Sequence, residues 1–593
     1  MKRRVLSLML GLALLAGVMT GCGTYTDSSG TPASASKTES KQETDSKQET
    51  GSGEDSAGGM QQAATGTKEG SGSLTFVNVE PNTLNMIQSA SNLDEAVFYL
   101  ISAMLYRPYD GIAYPELSDG YTVSDDKMTY TYTIKDAEYS DGTPVVAADF
   151  VYYMLHTLDS ATASYYKNGT EFYEGNCEAS EVGIYTVDDK TFVVELAEPI
   201  ADFDPELQIY PLQQDFAESK GDSLGGTPAD LMYSGPYVLK EWVYGSYLTF
   251  EKNPTYIDAE KSFQVANLKL IHSTDDSAKY AMFSAGEADI LLSASQENYE
   301  LMPDQCTHYE TSAVQGLQFN TTGYYYDGTT FAEKDPEVTA LLANKNFRLA
   351  LSYALNREAI VNVVNPSGRA YNRYISTLSA GNKEDSVFVE DYPIDAVPLA
   401  GDEEKAKEYL ATALEELGYK DVSELPTVKY LTFDSDKYRL FAETAQSEWK
   451  KVLGLNNIQI ELQPVSDAVM SMVFMNYDIY YQSLSMEPAN PRLSLEFWVT
   501  GGGVTDAMGA GTPFSSIFSD ASYDETVAKA KTEYDREKRM ALYAQAEQIL
   551  IDSNIFIPVQ INGGYYAVSD RVEGFVNNEV DSAYEFNYVT LKD

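Results

Sequence analysis

The chain has 593 residues, with 41 Lys and Arg against 90 Asp and Glu, so its formal net charge at pH 7 is −49. A single hydrophobic core does not grow to this size, and several lobes are therefore expected. So negative a charge repels the phosphate backbone of nucleic acids, which argues against a nucleic-acid-binding protein.

Residues 1–22 are interpreted as a targeting segment that is not part of the fold. Three basic residues at 2–4 precede an apolar stretch at 5–18, which is too short to span a membrane comfortably. The following MTGC at 19–22 resembles a bacterial lipobox. This resemblance implies cleavage before Cys22, lipid on Cys22, and a lipid-anchored position on the outer face of the cell membrane. An ordinary signal peptide with a chance cysteine is the alternative.

Residues 23–72 consist mainly of Ser, Thr, Gly, Gln, Glu and Lys, with few large apolar side chains. Such a composition cannot bury enough apolar surface to offset the chain entropy lost on folding, so disorder is expected. We interpret the segment as a tether between Cys22 and a folded body that begins at residue 73.

The most informative stretch covers residues 135–158. It contains the turn dipeptide DG at 141–142, a predicted helix cap at Thr143 and a proline, Pro144, suited to a first helical turn. Apolar residues then recur on one helical face between 147 and 158. Periodicity alone indicates a capped helix in an ordinary α/β protein.

The identity of these residues is more specific than their periodicity. YSDGTP at 139–144, followed by AADFV at 147–151, resembles the signature FSDGxPxxAxDV. That signature is typical of the extracytoplasmic solute-binding proteins of ABC importers, in the oligopeptide-, dipeptide- and nickel-binding family, family 5.

Further motifs similar to those of this family follow in chain order. SGPYVLKEW at 234–242 predicts a corner that leads into a β-hairpin, and GEADI at 286–290 predicts a helix end at Gly286 before a strand. FRLALSYALNRE at 347–358 contains Asn356, which is predicted to cap the next helix. A closing motif runs from Asp535 to Pro558.

Other segments are assigned from periodicity and helix-end signals. Strands are predicted at residues 73–77, 130–134, 192–196 and 458–462, and helices at 403–417 (between Asp402 and Gly418), 439–453 (ended by Gly454) and 523–552.

The resemblance implies an α/β fold of the two-lobe periplasmic-binding-protein-like kind (type II, cluster C), with a third small domain inserted in the first lobe. The implied division is lobe I at 73–112, 232–312 and 560–593, the inserted domain at 113–231, and lobe II at 313–559. A solute would be bound between the lobes and buried by hinge closure. The closed monomer would then dock on a membrane permease driven by a cytoplasmic ATPase.

The resemblance also implies a binding segment, LSMEPANP at 484–491. Peptide-binding members of the family have an acidic residue here that pairs with the α-amine of the peptide, and Glu487 falls on its position. Asn490 falls on a second, usually acidic, position. A carboxylate that is buried on closure needs a cation, which a free peptide N-terminus supplies. The alternative is that Glu487 is a solvated loop residue and that the alignment is shifted.

Three neighbours complete the predicted ligand-binding residues. Leu484 stands where the family usually has Trp, so a wall of the pocket would differ. The backbone groups of Ser483 and Ser485 are predicted to pair with an extended peptide as an added strand. Oligosaccharides, nickel chelates or another solute stay open as ligands, as does a peptide-sensing receptor without transport.

The sequence does not indicate catalysis, a metal or a cofactor. It contains neither a GxSxG elbow nor an HExxH motif, which argues against common hydrolases. His156, His272 and His308 have no partner at i+4 that would suggest a zinc site. Cys177 and Cys306 form either one disulfide or two free thiols.

Overall fold

The computed structural model describes residues 72–89, 91–109, 112–159, 162–326, 330–383, 386–484, 490–501, 517–578 and 583–592. The predicted targeting segment, Cys22 and nearly all of the tether lie outside these ranges, as do Ser485 and Glu487. Within them, no helix combines the length and the apolar character that crossing a membrane requires.

The strands of the described ranges are β1 (Ser73–Asn78), β2 (Tyr106–Tyr109), β3 (Ile112–Pro115), β4 (Ser118–Val123), β5 (Thr129–Ile134), β6 (Ile184–Asp188), β7 (Thr191–Glu195), β8 (Tyr237–Val243), β9 (Tyr247–Lys252), β10 (Asn267–His272), β11 (Ile290–Ala294), β12 (Cys306–Phe319), β13 (Tyr324–Tyr326), β14 (Phe331–Glu333), β15 (Arg369–Ala370), β16 (Val428–Phe433), β17 (Ile458–Gln463), β18 (Ile479–Leu484), β19 (Phe556–Val568), β20 (Val572–Glu573), β21 (Val576–Asn578), β22 (Ala583–Glu585) and β23 (Thr590–Leu591).

The α-helices of the same ranges are α1 (Asn92–Ile101), α2 (Ala147–Thr157), α3 (Gly169–Tyr173), α4 (Gln214–Lys220), α5 (Asp276–Ser284), α6 (Gln296–Leu301), α7 (Pro336–Ala343), α8 (Lys345–Tyr353), α9 (Arg357–Val364), α10 (Phe388–Asp391), α11 (Glu403–Leu417), α12 (Asp436–Leu453), α13 (Val465–Val473), α14 (Pro491–Glu496), α15 (Ala521–Thr532) and α16 (Arg536–Ser553).

One large sheet runs through the molecule in the order β17-β16-β18-β12-β19-β11-β1-β10-β9-β8, with β15 paired to β19. The two longest strands, β12 and β19, lie antiparallel to each other in its middle. Parallel pairs flank them on both sides, β16 with β17 and β18 on one side and β1 with β10 and β11 on the other. The predicted α/β class is confirmed.

Two large hydrophobic cores lie on either side of the central strands. The first core is built by buried side chains between residues 74 and 292 together with 572–589. The second core is built by side chains between residues 314 and 561. The four-stranded sheet β4-β5-β7-β6 contributes to the first core, because Tyr132 and Phe192 are buried there. The segment that carries this sheet is therefore packed against the first core. We call the elements around the first core the first body and those around the second core the second body.

The helix start predicted at Thr143 is wrong. The turn dipeptide is in place, with Gly142 at a φ of 87°, but α2 begins at Ala147, and Pro144 bridges Glu138 in an extended pair. The cause is Asp149, whose carboxylate accepts from the N–H of Val146 at 3.1 Å and so closes the first turn three residues later than expected.

Two other predicted helix ends shift. The single helix predicted over 523–552 is two helices, α15 and α16, because Asp535 breaks the run and caps α16 by accepting from the N–H of Lys538. Helix α5 ends at Ser284 with Ala285 as its C-cap, one residue before the predicted end at Gly286, which follows at a φ of 72°. A glycine at that position supplies the left-handed turn that ends a helix.

The predictions with strong local signals are confirmed. α11 covers the predicted residues, and Asp402 accepts from two N–H groups of its first turn. Asn356 caps α9 as predicted. Cys177 and Cys306 are free cysteines, so the disulfide alternative is wrong.

Candidate functional site

The strands β12 and β19 connect the two cores, and we call the stretch in which they do so the hinge. The first part of β12, Cys306–Glu310, pairs only with β19, which there also pairs with β11 beside the first core. The second part of β12, from Val314, pairs with β18 beside the second core. The β12–β19 register shifts between Glu310 and Val314, where the two parts meet, and again between Gln315 and Gly316, inside the second part. Such irregularities interrupt the ladder and allow bending.

A close backbone approach fixes one residue of this hinge. A Cβ added at Gly316 would lie 2.1 Å from the carbonyl oxygen of Ile557 on β19. Arg357 is fully buried and donates from Nε to the carbonyl of Pro558 at 2.7 Å, in the same stretch of β19. The second core therefore holds β19 firmly at the second register shift, and the shift between Glu310 and Val314 is the candidate place for bending.

A buried network of polar side chains lies beneath the hinge. Gln560 on β19 donates from Nε2 to Gln315 Oε1 at 2.7 Å and to the hydroxyl of Tyr481 at 2.8 Å. Tyr481 donates to Gln315 Oε1 at 2.9 Å, and Asn365 donates to Gln560 Oε1 at 3.1 Å. Burial raises the pKa of Tyr481 well above its ordinary value, so its hydroxyl keeps its proton.

Ser483 belongs to this network. Its hydroxyl accepts from Gln315 Nε2 at 3.3 Å, and the residue is 1% exposed opposite Gln315 in the β12–β18 pair. The next residue, Leu484, ends β18 and packs in the second core. The side chain of Ser483 therefore belongs to the buried polar network, and that of Leu484 belongs to the second core. The predicted backbone pairing of Ser483 with a peptide stays a prediction.

The sheet topology at the end of β18 is typical of an edge where ligands bind. The strands β16 and β18 are parallel, so their carboxyl ends lie at one edge of the sheet. In open α/β sheets ligands bind outside the carboxyl ends of the strands. The predicted Glu487 and Ser485 lie outside the described residues, between Leu484 at this edge and Asn490.

Asn490 starts the next helix and contacts the other body. Its side chain accepts from the N–H of Arg492 at 2.9 Å, which makes it the cap of α14. Its Nδ2 donates to the backbone oxygen of Asp202 at 3.4 Å. Asp202 follows Ile200, which is buried in the first core. The residues on either side of the predicted binding segment therefore lie next to the hinge (Leu484) and at a contact between the two bodies (Asn490).

Charge reinforces this contact. Arg492 donates from Nε to Asp202 Oδ1 at 2.8 Å and from Nη1 to Glu496 Oε2 at 2.7 Å. Burial disfavours the charged form of Arg492, but the negative charges of Glu496 and Asp202 outweigh this effect. The pKa of the Arg492 guanidinium is therefore raised above its ordinary value.

Sequence reasoning missed Gln315, Tyr481, Gln560, Asp202 and Arg492. A usable signal existed for the two glutamines, which interrupt apolar strands where a buried polar side chain needs a partner. Nothing local marks Asp202, because its partner Arg492 is 290 residues away in the sequence.

Two of the histidines hydrogen-bond backbone groups that are distant in the sequence. His272 accepts from the N–H of Glu80 at 3.0 Å through Nδ1, and His308 Nε2 lies 2.7 Å from the carbonyl oxygen of Ser367. Across the described ranges, no group of three or more His, Cys, Asp and Glu side chains is arranged to hold a metal ion.

Comparisons with known proteins agree with this geometry. Residues 113–506 match the family described as bacterial extracellular solute-binding proteins, family 5 Middle. The chain is 26% identical over 556 residues to the oligopeptide-binding protein AliB of Streptococcus pneumoniae, covering 82% of this chain and 83% of that protein. It is 26% identical over 534 residues to the oligopeptide-binding protein OppA of Bacillus subtilis, covering 86% and 92%.

The fold has solved counterparts. The structure of Listeria monocytogenes OppA bound to peptide aligns with a TM-score of 0.69 at 22% identity, covering 88% of this chain and 99% of that one. The predicted two-lobe binding-protein fold is therefore confirmed.

Proposed function

The chain belongs to the bacterial extracellular solute-binding proteins of family 5, and on that premise we propose that it captures peptides between its two lobes and delivers them to the permease of an ABC importer. Family 5 proteins bind solutes without transforming them, so the chain is a binding protein and not an enzyme. Relatives named for oligopeptide binding support peptides as the ligand class.

The hinge is the observation that carries this proposal. Two cores are joined by β12 and β19, and one register shift of that strand pair, between Glu310 and Val314, lies between the part of β12 beside the first core and the part beside the second. Bending there would close one body over the other and bury a ligand at the carboxyl edge of β18. A ligand shifts this equilibrium only as far as it prefers the closed form.

Glu487 is our candidate for the group that pairs with the peptide α-amine. Its described neighbours support this role, since Leu484 ends β18, which pairs with β12 of the hinge, and Asn490 contacts the other body. A carboxylate between these two points would lose water on closure, and a cation would then be needed. The backbones of Ser483 and Ser485 would hydrogen-bond the peptide as an added strand.

The remaining features of the proposal concern location and partners. Lipid on Cys22 and the tether would hold the protein outside the cytoplasm, close to the permease and its ATPase, and the protein would act as a monomer. We assign lobe I to 73–112, 232–312 and 560–593, the inserted domain to 113–231, and lobe II to 313–559. Oligosaccharides, nickel chelates or peptide sensing without transport are the alternatives.

A thermal-shift screen tests the ligand class. A ligand bound only by the folded state raises the melting temperature, and the free energy of unfolding rises by about 2.7 kcal/mol at a ligand concentration of one hundred times Kd. Short peptides with free N-termini are expected to stabilise the protein. Cello-oligosaccharides and a nickel chelate are expected to leave the melting temperature unchanged, and stabilisation by either of them alone would contradict the proposal.

The role of Glu487 is tested with Glu487→Gln and N-acetylated peptides. Wild type is expected to bind free peptides more tightly than acetylated ones, and Glu487→Gln is expected to lose this preference. The matched control is Glu404→Gln, at an exposed carboxylate on α11 far from the hinge, which should keep the wild-type preference. If wild type binds both kinds of peptide equally, the Glu487 assignment is wrong.

A further inference from the structure

A loop of the first body docks on helices of the second. Ile200 anchors this loop in the first core. The backbone N–H of Ala201 donates to the carbonyl of Lys531 at the end of α15, at 2.7 Å. Asp202 then inserts its carboxylate between α14 and α16, which belong to the second core. These contacts join the two cores, because Ile200 packs in the first core and Leu495 and Tyr543 pack in the second.

Each oxygen of Asp202 has its own donor from the second body. Oδ1 accepts from Arg492 Nε at 2.8 Å, and Oδ2 accepts from the hydroxyl of Tyr543 at 2.9 Å. The side chains of Asp202 and Arg492 are only 11% and 5% exposed. Removing one partner while the contact stays closed would leave the other charge buried without its partner, which is far more costly than losing an exposed ion pair.

A second set of charges surrounds the pair. Glu496 accepts from Arg492 and, at 3.0 Å, from the hydroxyl of Tyr165 in the first body. Lys531 in the second body lies 2.8 Å from Glu198 in the first. Acidic and basic groups therefore alternate across the contact, as they do at complementary protein interfaces.

We propose that Asp202 and Arg492 form a clasp that sets the affinity for the bound solute by holding the closed form. This inference rests on the proposed function, since it concerns the same cleft. Arg492 lies two residues after Asn490, which flanks the binding segment and contacts Asp202 itself. Closing the clasp would fix the far end of that segment while Ser483 fixes its near end at the hinge. Asp202 and Arg492 are positioning residues that do not touch the solute.

The first test measures binding by Asp202→Asn. The probe is a mixture of short peptides with free N-termini, or cello-oligosaccharide if the peptides leave the wild-type melting temperature unchanged. Asp202→Asn is expected to weaken binding about tenfold or more, with most of the change in the dissociation rate. The matched control is Glu525→Gln, which removes an exposed ion pair with Lys529 on α15 and should leave affinity unchanged. Equal affinities for Asp202→Asn and wild type would overturn the clasp.

The second test uses the unaltered protein, so it does not depend on how a variant folds. Hydrogen exchange of the backbone over residues 198–203 is followed with and without the same probe. Addition of the probe is expected to slow exchange at Ala201, whose N–H bonds across the contact. Identical exchange in both states would mean that the contact does not respond to closure, and the clasp would be wrong. Failure of the peptide proposal shows separately, in the thermal-shift screen.

Discussion

The carboxyl of Asp149 gives the most quantitative prediction for stability. It is 3% exposed, and burial raises its pKa from 3.8 to about 6, although hydrogen bonds from the Val146 N–H and the Tyr139 hydroxyl lower it. Between pH 4 and 6 the folded state therefore holds a proton that the unfolded state has lost. The free energy of unfolding must then fall as pH rises through this window.

The size of the effect follows from the two pKa values. Their difference is about two pKa units at about 1.36 kcal/mol each, and since the unfolded carboxyl is already partly ionised at pH 4, the Asp149 contribution falls by about 2.5 kcal/mol between pH 4 and pH 7. Asp149→Asn keeps the shape of the side chain but cannot titrate. The difference in unfolding free energy between wild type and this variant should therefore change by this amount, while other carboxyl groups cancel.

The assay is urea-induced unfolding of wild type and Asp149→Asn at half-unit steps from pH 4 to pH 7. Asp215→Asn, at an exposed carboxylate beside the first turn of α4, serves as the control and should track wild type throughout. A wild-type-minus-variant difference that stays constant over this range, or that rises with pH, would refute the reasoning about Asp149.

Two further predictions concern stability, and two concern binding. Gly316→Ala should destabilise the fold by about 2 kcal/mol or more, since its Cβ would meet the Ile557 carbonyl oxygen at 2.1 Å; urea unfolding measures this, and a smaller loss would show that β19 can move. Glu547→Ala should cost about 3–5 kcal/mol, measured in the same way, because Glu547 is 0% exposed and pairs with the buried guanidinium of Arg373. Glu487→Gln should abolish the preference for free over acetylated peptides in calorimetric titrations. Asp202→Asn should speed dissociation of the solute in stopped-flow measurements.

Sequence patterns predicted the parts of the fold that depend on neighbouring residues. Asp402 caps the start of α11 and Gly418 caps its end, each through groups within three residues of that helix end, so the local signals were sufficient to predict both ends. The start of α2 was misplaced although its determinant, Asp149, is also local. Thr143 and Pro144 form a valid start signal, and only the folded structure shows that Asp149 takes the N–H of Val146.

The site itself was predictable only in part, because its contacts join distant parts of the chain. Gln315 meets Tyr481 across 166 positions and Gln560 across 245. No periodicity or end signal carries such information. The resemblance to family motifs predicted a binding segment after Ser483. It gave no indication of the contacts that Ser483 and Asn490 make on either side of this segment.

Described residues on both sides of the predicted binding segment connect it to the two bodies. On its near side, Ser483 at the end of β18 hydrogen-bonds Gln315, next to the register shift between Gln315 and Gly316. On its far side, Asn490 and Arg492 reach Asp202 of the other body only when the bodies are together. A solute held between Ser483 and Asn490 would then favour the closed hinge and the closed clasp at once. Each would strengthen the other, which is the thermodynamic requirement for a ligand to drive closure.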